Sequence, residues 1–189
     1  EVYMKKKIIT SILAAGFLLG SIPSFAAVSP EIKGTRYEEP VSVLSALNIM
    51  IGDENGELRL DDTIIRSEVT KMAVTAMGME KAAESSKGNR DYLDVAPEHW
   101  ANGYINVATS LGLVEGDGDG NFRPNDKITY REAVAIMVRA TGYENIAQNK
   151  GGYPRGYITV AGENNMLSGV EGSTEKEISR GNVAILTNN

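Results

Sequence analysis

The sequence predicts an all-α protein made of three helix–turn–helix units that pack on one another. Three observations predict it. Apolar residues recur with the helical period on both sides of a Gly/Asp-rich turn. That pattern occurs three times at fixed offsets. Helix start and stop residues fall where the pattern needs them.

The chain has 189 residues. Glu1-Val2-Tyr3 form an upstream extension to Met4, which reads as the initiator. Lys5-Lys6-Lys7 are a positive n-region, Ile8 to Leu19 a short apolar h-region, and Ser24-Phe25-Ala26 a small-x-small cleavage signal. Residues 1–26 therefore read as a signal peptide, because the apolar run is too short and wrongly flanked to span a membrane stably. The alternative, a buried N-terminal helix, leaves the ordered n-region, h-region and cleavage signal without a reason.

Val28 to Glu39 is a polar leader with Pro30, Gly34 and Pro40 around it. The first unit spans 31–80. Val41 to Met50 is its opening helix, Gly52 to Gly56 its turn, and Val69, Met72, Ala73 and Ala76 the face of its second helix. It lacks the DV…HW opening of the middle unit, so it is expected to be shortened at the front. Lys81 to Arg90 is small and polar and reads as a linker.

The middle unit, 91–143, is the most regular. Pro97 suits the first position of a helix, where its missing N–H costs nothing. Trp100, Tyr104, Ile105, Ala108 and Leu111 then lie on one apolar face. Gly116-Asp117-Gly118-Asp119-Gly120 is too glycine-rich for helix. Thr129 opens the second helix, with Glu132 at capping-box spacing. Ala133, Ile136, Met137 and Ala140 form its face, and Gly142 stands where a left-handed glycine ends a helix. Asn145 to Gly152 links this unit to the third, 144–189.

A shift of 64 places maps Leu47 onto Leu111, Gly52 onto Gly116, Asp53 onto Asp117, Arg59 onto Arg123, Glu68 onto Glu132 and Gly78 onto Gly142. A shift of 53 maps Gly103, Tyr104, Ile105, Ala108 and Gly116 onto Gly156, Tyr157, Ile158, Ala161 and Gly169. The third turn is shorter, and a shift of 50 places Val183, Leu186 and Thr187 on the last helix face. The sequence stops before residue 190, so the third unit is expected to be truncated. A two-helix unit cannot bury its apolar face alone, so the three should pack together.

The net charge is −6. That excludes a general attraction to nucleic acid, and any anionic polymer must be held by local cations. With no cysteine there is neither thiol catalysis nor a thiolate metal site. Asp117, Asp119 and Asn121 have the spacing that opens an EF-hand. The sixth and twelfth positions are Phe122 and Ile128 where Gly and Glu are needed, so the aspartates are read as bonding their own turn. His99 is the sole histidine, and no zinc set, nucleophile triad or phosphate loop can be assembled. No catalytic residue, metal or cofactor is expected.

The pattern DV…HWA…YI..A..LGLV.G.GDGNF.P…IT..EA resembles the S-layer homology domain family, and Arg66-Ser67-Glu68 matches its Thr-Arg-Ala-Glu signature at the Arg and Glu. The resemblance runs from about Glu31 to the C-terminus. It implies a pseudo-threefold helical bundle that binds a secondary cell-wall polysaccharide non-covalently. Such a module is secreted and tethers exported proteins to a bacterial surface. The implied partner is a cell-wall glycopolymer, with neither nucleic acid nor a membrane span after signal cleavage, and with room for a cargo domain downstream. Two other readings stay open: the anchor portion of a longer exported enzyme, and a degenerate interaction module without sugar binding.

The resemblance also implies site residues. Arg66 lies in the first turn of a helix, where a cation opposes the dipole, so something else must favour it. In the family the matching Arg lines a groove between units and meets the acidic sugar; an ion pair within the module is the other reading. Arg180 matches the same position. Tyr130 occupies it in the middle unit, with Arg131 displaced by one place, about 100° around the helix. Asn182 stands where the third unit should have Glu. At most two grooves thus fit the pattern. Glu132 reads first as a cap, whereas Glu68 has Ile65 in place of the capping Thr; structure is favoured over ligand contact for both. Trp100, read as half core, and Tyr153 border the groove by resemblance. Asp94 binds sugar hydroxyls or, preferentially, caps the turn before Pro97. The processing expectation is direct to check: N-terminal sequencing of secreted material should begin Ala27-Val28-Ser29, and a mature chain retaining Met4 would contradict it.

Overall fold

The computed structural model describes residues 31–89 and 91–189. The signal-peptide and upstream-extension readings lie outside the described residues. Within them the chain forms eight helices: α1 (Glu38–Ala46), α2 (Arg66–Ala76), α3 (Glu80–Ser85), α4 (Asn102–Ser110), α5 (Tyr130–Ala140), α6 (Glu144–Asn149), α7 (Arg155–Glu163) and α8 (Arg180–Asn188). Among these residues there is no strand, only three isolated bridges. The fold is all-α.

Local chemistry explains the ends. At the end of α5, Gly142 has φ +79°, and the Tyr143 and Gly142 N–H groups donate to the Val138 and Arg139 carbonyls. Those two bonds are the Schellman closure that satisfies orphan carbonyls. Gly78 closes α2 in the same way. The first helix of each unit also ends in a left-handed residue, Asn48, Gly112 or Asn165, because Asn is the side chain that tolerates this conformation best after glycine.

The helices interlock rather than stack unit by unit. α2, α5 and α8 meet at the centre. Around them α4 packs on α2, α7 on α5, and α1 on α8. Each opening helix thus covers the second helix of a neighbouring unit, and α1 on α8 closes the circle. At the centre, Ile64, Ile128 and Ile178 are at most 1% exposed. Their backbones form a ring: the Ile64 N–H donates to the Ile178 carbonyl (3.2 Å), Ile178 to Ile128 (3.1 Å), and Ile128 to Ile64 (3.1 Å).

The same circle satisfies the exposed ends of the central helices. The first N–H groups of a helix have no partner of their own. Those of Arg66 and Ser67 donate to the Asp126 and Pro124 carbonyls. Those of Tyr130 and Arg131 donate to Lys176 and Thr174, and those of Arg180 and Gly181 to Asp62 and Leu60. Every central helix therefore starts on the loop of another unit.

Four local expectations are corrected. α4 begins at Asn102 and not at Pro97, because the His99 N–H bonds Ala96 and the Asn102 N–H bonds His99 in successive tight turns. Leu111, placed on the apolar face, caps α4 and is 44% exposed. The two stretches read as linkers are partly helical, each holding all but the first residue of α3 or α6, whose Ala83 and Ala147 are buried. The first unit is not shortened at its front: Ile32 is buried like Val95, and the Glu31 carboxylate accepts the Leu58 N–H at 3.3 Å.

α3 and α6 fit only because Gly103 and Gly156 lack side chains. A Cβ on either glycine would stand 1.9 Å from the carbonyl oxygen of Ala83 or Ala147. Gly103→Ala should therefore force α3 off α4 and lower stability by about 1–3 kcal/mol, the usual cost of overpacking. Gly162→Ala on α7 meets nothing within 4 Å and should stabilise by about 0.4–1 kcal/mol. Chemical denaturation of both variants checks the pair.

Candidate functional site

The loops that receive the central helices leave grooves at the junctions between units. Arg180, the first residue of α8, reaches into the first unit: Nε donates to the Leu58 carbonyl at 3.0 Å, and Nη1 pairs with Glu68 Oε1 at 2.6 Å. Arg66, the first residue of α2, does the same to the second unit. Its Nε donates to Phe122 O at 3.0 Å, Nη2 to Glu115 O at 3.2 Å, and Nη1 lies 3.6 Å from Glu132 Oε1. The guanidinium also covers the Phe122 ring at 4.9 Å. These acceptors offset the unfavourable dipole position. Both arginines therefore make contacts within the module, and each keeps N–H donors beyond those used here.

Glu68 and Glu132 have two roles apiece. Oε1 faces the arginine of a neighbouring unit. Oε2 accepts the backbone N–H at its own helix start, from Ile65 at 3.2 Å and from Thr129 at 2.8 Å. Glu68 thus caps its helix without a Thr partner, contrary to the expectation from Ile65, because the backbone N–H supplies this half of the capping box.

Among the described residues, two open grooves result at these junctions. The first, about 370 Å³, is lined by Ile51, Glu68, Lys71, Trp100 and Arg180 among others. The second, about 510 Å³, is lined by Arg66, Glu115, Phe122, Glu132 and Tyr153 among others. Arg180 corresponds to Arg66, Glu68 to Glu132, and Trp100 to Tyr153. Trp100 is 48% and Tyr153 47% exposed, so both aromatics stand on rims. The half-core, helix-face reading of Trp100 is corrected: it precedes α4 and stacks on His99 at 5.7 Å. Arg131 lies over the Tyr153 ring at 5.8 Å and pairs with Glu175.

The third junction is filled by the protein itself. The Tyr130 ring takes the place where a Cβ on Gly172 would stand, 2.4 Å from Cδ2. Arg36 pairs with Glu171 at 2.7 Å and donates to Gly169 O at 3.2 Å and Asn182 Oδ1 at 3.3 Å. Asn182 Oδ1 also accepts the Glu171 N–H at 2.7 Å. Arg36 was not singled out in the sequence. The signal was available, since the 64-place shift pairs it with Trp100, and a cation replaces an aromatic there.

Asp94 does cap a turn, though a distant one. Its two oxygens accept the Phe122 N–H at 2.8 Å and the Arg123 N–H at 2.7 Å, not the turn before Pro97. Asp117 Oδ1 accepts the N–H groups of Asp119 and Asn121 at 2.9 and 3.1 Å. The Asp119 N–H contributes most to holding the Asp117 carboxyl below its ordinary value; burial opposes it, and Asn121 and Arg123 assist. The Gly/Asp turn is self-bonded. Among the described residues no cluster of three or more His, Asp or Glu could hold a metal.

Residues 91–134 match the S-layer homology domain. The chain is 36% identical over 172 residues to the middle cell wall protein of Brevibacillus brevis, which covers 87% of this chain and 16% of that protein. It is 35% identical over 170 residues to the surface layer protein of Brevibacillus choshinensis, covering 87% and 15%. An amylopullulanase of Thermoanaerobacterium thermosulfurigenes is 32% identical over 120 residues, which is 64% of this chain and 6% of the enzyme. The chain therefore spans a small part of each of these relatives.

Beside the second groove, Arg139 is bound to Glu144 at 3.1 Å, and the Tyr157 hydroxyl donates to the other Glu144 oxygen. Burial pushes the Glu144 carboxyl up, but Tyr157, Gln148 and Arg139 outweigh it and hold the group below its ordinary value. A depressed carboxyl stabilises the fold above its unfolded pKa, and that contribution disappears as pH falls through the folded one. Denaturation midpoints should therefore fall in the acid range, and Glu144→Gln should flatten that fall while lowering stability at neutral pH. An unchanged acid limb would contradict the assignment.

Proposed function

Residues 91–134 are an S-layer homology domain, and from that premise we propose that the chain is a non-catalytic module holding an exported protein on a bacterial cell wall. It does so by binding a secondary cell-wall polysaccharide in its two open grooves. The carrying observation is that both grooves repeat one arrangement at different junctions: a guanidinium from one unit, a carboxylate from the next and an exposed aromatic on the rim. An aromatic face offers a sugar ring an apolar platform. The remaining guanidinium N–H groups offer charge-assisted bonds to a carboxylate on the glycan, such as a ketal-linked pyruvate.

The wall and surface-layer relatives support this reading. The module acts at the cell surface, and no described helix is long and apolar enough to cross a membrane. The amylopullulanase relative favours a second reading of the same module, as the anchor portion of a longer exported enzyme. In that case catalysis belongs to the cargo and binding to this module.

Pull-down on purified cell walls and calorimetry with pyruvylated and unpyruvylated wall fragments test the proposal. Arg66→Ala should weaken binding at its groove by about 10- to 100-fold, the loss of a charge-assisted contact of roughly 1.5–3 kcal/mol. Arg66→Lys should recover part of it, and Arg131→Ala should matter less. Because the arginine also ties two units together, Trp100→Ala and Tyr153→Ala serve as variants outside the core. Binding to neither wall nor fragment, with the fold intact by circular dichroism, would sink the proposal.

A further inference from the structure

The two open grooves share a plan but differ in what their charges are doing. In the second groove every lining cation faces a carboxylate. Arg66 lies 3.6 Å from Glu132, Arg123 2.9 Å from Asp117, Lys127 3.6 Å from Glu177, and Arg139 3.1 Å from Glu144. In the first groove, Arg180 is held by Glu68 and Arg59 by Asp62. Lys71 also lines that groove. Among the described residues it makes no ion pair and no hydrogen bond.

Its neighbours explain why. Lys71 lies one turn beyond Glu68 on α2, on the same face. Glu68 already gives Oε1 to Arg180 and Oε2 to the Ile65 N–H. Asp53 is bonded to the N–H groups of Asn55 and Glu57. Glu57 lines the groove from the turn and is the one opposing carboxylate not engaged by a bond of its own side chain. In the second groove the place of Lys71 is taken by Ala135, and that of Ile51 by Glu115. Ile51 is 54% exposed beside the exposed Trp100, so the first groove adds an apolar wall to a free ammonium. The second carries Glu115 in its lining in place of that apolar wall.

We propose that the grooves are unequal, and that the groove of Lys71, Trp100 and Arg180 is the primary site for an anionic sugar, with Lys71 as the residue that sets its preference for a carboxylate. This rests on glycopolymer binding as proposed above. A free cation in a partly closed site adds attraction for an anion without first breaking an internal pair, whereas each cation of the second groove must share or surrender a partner.

The chain contains a single tryptophan, so Trp100 fluorescence reads the first groove alone while calorimetry reads both. With a pyruvylated wall fragment as probe, the fluorescence constant should coincide with the tighter calorimetric phase. Lys71→Ala should loosen that phase by about tenfold and leave the weaker one in place. Ala135→Lys should tighten the weaker phase. With the unpyruvylated fragment the Lys71→Ala effect should vanish. A Trp100 signal that follows the weaker phase, or is unmoved by Lys71→Ala, would overturn the inequality while leaving glycan binding standing. No heat and no fluorescence change in wild type would overturn the proposed function itself.

Discussion

The structure depends on a closed circle of backbone hydrogen bonds among Ile64, Ile128 and Ile178. Each residue both donates to one unit and accepts from the other, so no unit can leave without breaking two links. The side chains are fully buried, and a buried amide left unpaired costs free energy comparable to a lost hydrogen bond. The same exchange continues two residues further on, where each central helix lodges its first N–H groups on a neighbour's loop. Three pieces that could not fold alone thereby become one cooperative body.

The grooves follow from that circle. A helix start seated on a foreign loop brings its first side chain against the neighbouring unit. Where that side chain is Arg, it meets two carbonyls and the Glu that caps the next helix, and a cleft remains beside it. At the third junction the side chain is Tyr130, Gly172 lets its ring in, and Arg36 closes over Asn182. The difference between an open and a filled junction thus reduces to a few side chains on a common backbone. The carboxylate of Glu68 or Glu132 links the two jobs, since one oxygen starts a helix and the other holds a neighbour's guanidinium.

Much of this was legible in the sequence. The repeat offsets locate the three central helices, because periodic apolar residues and the glycines Gly78 and Gly142 are local signals with local causes. The departures at Tyr130 and Asn182 point to the one junction that is filled. Contacts between residues far apart in the chain were not legible. The polar stretches after Gly78 and Gly142 look like linkers because each short helix is stabilised by a glycine on the following helix, at Gly103 and Gly156. Asp94 looks like a local cap, yet its acceptor role lies at Phe122 and Arg123. Arg36 sits in a polar leader and gains meaning only once α1 packs on α8.

Native-state hydrogen exchange on the amides of Ile64, Ile128 and Ile178 tests the interlocked circle most directly. Each N–H belongs to a different unit and donates to another, so opening any one requires opening the circle. The account predicts that all three exchange only through global unfolding, with one common free energy equal to that from chemical denaturation. If one of them exchanged through a cheaper local opening while the other two stayed protected, the units would be separable, and the grooves between them would not be built by a closed circle.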